Sequence, residues 1–102
     1  YIDMQAEAKK AAAKGQVAEM KSTLNLAYAK LFMSNGTAPT TGAAVVTGAG
    51  LTSGTAADVG TAPDIWNVTL TGSGKNVTVA VNNRNADTGY TASGTWTIPT
   101  GP

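Results

Sequence analysis

Ala13-Lys14-Gly15-Gln16-Val17-Ala18-Glu19-Met20-Lys21-Ser22-Thr23-Leu24-Asn25-Leu26-Ala27-Tyr28-Ala29-Lys30-Leu31 is the stretch that decides the fold. Within it Ala13, Val17, Met20, Leu24, Tyr28 and Leu31 recur at steps of three and four, the spacing that gathers side chains on one face of an α-helix. The same composition runs back to Tyr1 and forward to Met33, rich in Ala, Lys, Glu, Gln, Leu and Met, with Gly15 as its one glycine and no proline. These are strong helix formers, and Gly15 costs about 1 kcal/mol relative to alanine. Ser34-Asn35-Gly36 then stops the helix, because glycine accepts the left-handed conformation just past a helix end.

Length turns this helix into an argument about architecture. About 33 residues at 1.5 Å each span roughly 50 Å, whereas a compact domain of this size has a radius of gyration near 13 Å. The first half of the helix is therefore expected to protrude or to lie on another chain.

Beyond Asn35 the character changes: Gly and Thr dominate, and all four prolines fall there. Three segments alternate with period two and predict strands. Trp66, Val68 and Leu70 share one face against Asn67, Thr69 and Thr71. Val77, Val79 and Val81 oppose Thr78, Ala80 and Asn82. Tyr90, Ala92, Trp96 and Ile98 oppose Thr91, Ser93, Thr95 and Thr97. Gly72-Ser73-Gly74-Lys75 makes a short turn between the first two strands, and Asn82 to Gly89 a longer polar loop between the second and third. Short connections imply antiparallel neighbours, hence a meander.

One apolar sheet face and one apolar helix stripe can bury each other. The expected core is Val17, Met20, Leu24, Tyr28 and Leu31 against Trp66, Val68, Leu70, Val77, Val79, Val81, Trp96 and Ile98. The fold class is thus α+β: a long N-terminal helix packed on a three- to four-stranded antiparallel meander. One domain is expected, divided into a helix (1–34), a connecting loop (35–63) and a sheet (64–102). Within the loop, Ala43-Ala44-Val45-Val46 reads as a short strand pairing with a sheet edge, and Leu51 and Val59 as apolar anchors.

Composition narrows the function. The 102 residues carry a formal charge of +1 with 13% charged residues, so no field gathers nucleic acid or an acidic membrane. The chain contains neither cysteine nor histidine, which excludes disulfides, thiolate chemistry and the commonest general base and metal ligand. No Ser/His/Asp or Cys/His set exists, so the chain is not expected to be an enzyme or to hold a cofactor. No run of about 20 apolar residues is present. The chain opens on Tyr1-Ile2-Asp3 and not on methionine, which points to a segment removed upstream.

A long helix, a long loop and an antiparallel meander on the helix's C-terminal half resemble the type IV pilin architecture. Tyr1-Ile2-Asp3-Met4-Gln5-Ala6-Glu7-Ala8 is similar to the segment that follows the hydrophobic half-helix of such pilins, closest in look to the mannose-sensitive haemagglutinin type and to major pseudopilins. The resemblance implies an apolar half-helix before Tyr1 that anchors the subunit in the inner membrane and then packs in a filament core. It implies an extracellular filament on a bacterial surface, with copies of the chain and the pilus assembly machinery as partners. The expected assembly face is Ile2, Met4, Ala6, Ala8, Ala12 and Ala13, where the small side chains of the alanines allow close helix approach. The C-terminal cysteine pair of many pilins is absent. Two alternatives stand beside this reading: the major pseudopilin of a type II secretion system, and a small secreted carbohydrate- or surface-binding module using Trp66 or Trp96.

Other candidate residues have plainer readings. Asp58, Asp64 and Asp87 offer oxygen atoms for calcium, but match no calcium-loop spacing, and aspartate is common in turns. Lys9, Lys10, Lys14 and Lys21 are diluted by Asp3, Glu7 and Glu19, as on a solvated helix face. Asn35, Asn67 and Asn76 each begin an Asn-X-Thr triplet, a pattern that arises by chance in so Asn- and Thr-rich a chain. Tyr1, Tyr28 and Phe32 would serve charge transport in a filament, although Tyr28 and Phe32 at a spacing of four suit packing.

Overall fold

The computed structural model describes the backbone of residues 2–99 and the side chains of residues 4–99. Helix α1 spans Ile2–Asn35 and is followed by a short helix α2, Gly42–Gly48. Four strands follow: β1 (Ala57–Val59), β2 (Trp66–Ser73), β3 (Asn76–Asn82) and β4 (Ala92–Thr97). They form one antiparallel sheet in sequence order, β1-β2-β3-β4. The architecture is α+β, a long helix on a four-stranded meander, as the periodicities predict. The molecule measures 52 × 26 × 20 Å, and its long axis matches the roughly 51 Å expected of 34 helical residues.

Sheet register follows the apolar alternation. Val68 faces Val81, Leu70 faces Val79 and Gly72 faces Val77 across β2 and β3; Val77 then faces Trp96 across β3 and β4. These pairs put the apolar side chains on the face that meets α1, with Gly72 leaving space beside Val77, and a slip of one residue would turn all of them outward. Val17, Met20, Leu24, Trp66, Val68, Leu70, Val77, Val79, Val81, Trp96 and Ile98 are all buried, joined by Ala13, Ala27, Val45 and Val46. Tyr28 and Leu31 are only half-buried, Leu31 lying beside Gly48 of α2. Tyr28 packs its ring against Trp96 edge-on at 6.4 Å.

Two local expectations are corrected. Ala43-Ala44-Val45-Val46 is helical, not a strand: Thr41 caps α2, its Oγ1 accepting from the Ala44 amide at 3.3 Å. The turn of helix seals the core from above, with Val45 and Val46 both 0% exposed. The fourth strand is β1 instead, pairing Ala57 with Val68 and Val59 with Trp66. Tyr90 lies outside β4, which starts at Ala92.

Glycine makes the seat for α2. A Cβ on Gly72 would lie 2.4 Å from the Ala43 nitrogen and 2.7 Å from its Cα, and one on Gly42 would lie 2.5 Å from the Asn76 carbonyl oxygen. The Gly42 amide donates to the Gly74 carbonyl at 2.8 Å, fastening the helix to the β2–β3 turn. Leu51 and Val59 pack on the core edge as the predicted anchors.

Candidate functional site

Helix α1 uses two faces. The inner face runs through Ala13, Val17, Met20, Leu24 and Ala27 and is covered by the sheet and α2. On the outer face, Met4, Ala8, Ala11, Gly15, Ala18, Ser22, Leu26, Ala29 and Met33 recur at steps of three and four, and every one is exposed. Leu26 is 56% exposed, Met4 75% and Met33 83%. None of these nine side chains is charged; Glu7, Lys14, Glu19, Lys21 and Lys30 lie to either side. A charge-free row of small side chains between larger apolar ones lets another helix approach closely, whereas a helix evolved for water alone carries charges there.

The predicted assembly face is only partly on this surface. Met4, Ala6 and Ala8 are exposed, Ala12 is half-buried and Ala13 is fully buried in the subunit's own core. Small residues on a helix do not reveal which side the sheet will take. The side chain of Ile2 lies outside the described residues, as does Tyr1. The free part of α1 is accordingly shorter than half: Met4–Ala8 stand clear, and from Lys9 onward the helix is held.

What holds it there is a clasp around Tyr90. The Lys9 ammonium lies 5.5 Å from the Tyr90 ring centroid and 3.6 Å from Asp87 Oδ1. The Arg84 guanidinium lies 5.4 Å from the same ring and pairs with Asp64. Trp66 meets Tyr90 edge-on at 5.5 Å. Exposed cation–π contacts contribute about 0.5–1 kcal/mol each and surface ion pairs about as much or less. Several converging on one ring fix where α1 leaves the sheet. A second tie lies further along: the Trp96 indole N–H donates to Asn25 Oδ1 at 2.8 Å, linking β4 to the helix. Asn25 was hidden in the sequence, since its pairing spans 71 residues.

The remaining candidates are dispersed. Asp58 accepts from the Asn67 amide at 3.2 Å, while Asp64 and Asp87 are engaged in the clasp. Among the described residues no three His, Cys, Asp or Glu side chains gather in one place. Lys10 pairs with Glu7 at 3.9 Å, Lys14 is exposed, and Lys21 lies along Gly94 of β4. The lysines therefore serve separate local roles instead of one basic surface. Asn35 ends α1 in solvent, Asn67 sits within β2, and Asn76 accepts from the Thr97 hydroxyl at 2.8 Å. Phe32 is 47% exposed beside Tyr28, with ring centroids 6.4 Å apart. Trp66 and Trp96 are each 6% exposed, so neither offers an open stacking face.

Among described residues, no helix is long and apolar enough to cross a membrane. No protein-family model, no curated protein and no solved structure matches the chain.

Proposed function

We propose that this chain is the globular part of a type IV pilin-like subunit, and that it builds an extracellular filament by packing α1 against the same helix of neighbouring copies. The observation that carries the proposal is the outer face of α1, exposed and free of charge from Met4 to Met33. A helix that already buries its other face has no intramolecular use for such a row. Repeated along a filament, it would supply a continuous seam, and the sheet's threonine-rich outer face would remain in water.

The resemblance of Tyr1 to Ala8 to the pilin segment implies an apolar half-helix upstream, which would supply most of the assembly energy. The test is N-terminal sequencing and intact mass of the protein from its native source. An apolar run of about 20 residues or more before Tyr1, ending in a methylated first residue, is the expected result. A native chain that starts at Tyr1, or that follows an ordinary cleaved signal peptide, would overturn the proposal.

A further inference from the structure

One residue breaks the apolar inner face of α1. Gln16 is 8% exposed, the one polar side chain in the buried class among the described residues. Its amide makes no hydrogen bond to any described residue. No side-chain nitrogen or oxygen sealed from solvent lacks a partner among the described residues. The Gln16 amide therefore opens onto the groove it lines.

That groove runs between α1 and the segments leading into β1 and β2, is open to solvent on one side, and has a volume of about 550 Å³. A single water occupies about 30 Å³, so one bridging water does not fill it; ligand sites span about 300–1,000 Å³. Met20, Leu51, Val59 and Trp66 form apolar walls, while Gln16, Glu19 and Asp64 supply polar groups. No lysine or arginine lines it, so nothing there neutralises a phosphate or a carboxylate. Arg84 pairs with Asp64 Oδ1; the other Asp64 oxygen, both Glu19 oxygens and the Gln16 carbonyl are acceptors open to solvent along the groove. A ligand that presents several hydroxyl donors on a ring with apolar C–H faces matches this set.

We propose that the Gln16 groove binds one ring of a neutral sugar, with Gln16 as the fixed contact and Glu19 and Asp64 accepting from ring hydroxyls. The proposal does not rest on filament assembly: the groove borders the seam at Glu19, while Gln16 and the apolar walls lie on the sheet side of α1.

The test is titration of the ¹⁵N-labelled chain with methyl glucopyranoside, methyl mannopyranoside and N-acetylglucosamine, and separately with n-butylamine. At least one sugar should shift the Gln16 side-chain amide and Trp66 indole resonances saturably, while the Trp96 indole, held by Asn25, stays put. Gln16→Leu should weaken that binding about tenfold or more, as loss of a hydrogen-bonded anchor does. Glu19→Gln, on an exposed position that leaves the fold intact, should also weaken it. The proposal fails if none of the three sugars gives saturable shifts, if Gln16→Leu binds as the parent does, or if only butylamine binds.

Discussion

Substituting Gly72→Ala tests whether α2 is seated by backbone contact. The new Cβ would stand 2.4 Å from the Ala43 nitrogen and 2.7 Å from its Cα, against ordinary contacts of about 3.5–4.0 Å. Neither atom belongs to a flexible side chain, so α2 must rise by about an ångström or release the sheet. Local overpacking costs about 1–3 kcal/mol. Full release would expose Val45 and Val46, each 0% exposed now, at about 1.5–3 kcal/mol apiece. We expect a loss near 3 kcal/mol, where the two ranges meet. For a domain of this size each kcal/mol lowers Tm by about 4–8 °C, so the shift should be about 12–24 °C. Urea unfolding followed by circular dichroism measures it directly. Adding Ala43→Gly removes the Ala43 Cβ, 3.0 Å from the intruding methyl, but leaves the nitrogen and Cα in place. The double variant should therefore recover less than half of the loss. A Gly72→Ala chain within about 0.5 kcal/mol of the parent, the usual range of inconsequential substitutions, would refute the seating argument.

Gly15→Ala should act in the opposite direction. A Cβ there meets nothing within 4 Å, so the change should raise stability by about 0.5–1 kcal/mol, read from the same urea curves. Asn25→Ala should cost about 1–3 kcal/mol by leaving the Trp96 indole without its acceptor, seen as a lower urea midpoint. Because the chain has no cysteine, single Ala18→Cys and Thr78→Cys variants are clean crosslinking probes of the proposed filament. Ala18→Cys, on the helix seam, should give subunit dimers on oxidation and Thr78→Cys, on the outer sheet face, should not; the reverse pattern would move the interface to the sheet.

The sequence made the main elements legible because their periods are long and uninterrupted. Six apolar residues at helical spacing and three runs of alternating Val, Trp and Thr leave few ways to bury everything. Ala43 to Val46 was misread because four apolar residues are too few to separate a strand from a helix turn by period. The cap at Thr41, three residues ahead of the Ala44 amide, was the available signal. Ala12 and Ala13 read as outward because alanine suits either a helix seam or a crowded core; only the position of the sheet decides between them. Gln16 is silent in the sequence for a similar reason. A glutamine between Gly15 and Val17 looks like helix surface until the segments before β1 and β2 close over it.

The sequence-ordered sheet has a kinetic consequence. Every strand pairs with its neighbour along the chain, and a two-residue turn at Gly74-Lys75 joins β2 to β3. Closing such short loops loses little chain entropy, whereas the helix reaches β4 only across a much longer stretch of chain. The hairpin should then be formed at the folding barrier and the helix should dock after it. Val79→Ala should mainly slow folding and Leu24→Ala mainly speed unfolding, measured as separate arms of a chevron plot; equal partition of both variants would argue for concerted docking. A chain that folds in this order keeps both apolar rows of its long helix uncovered until the last step.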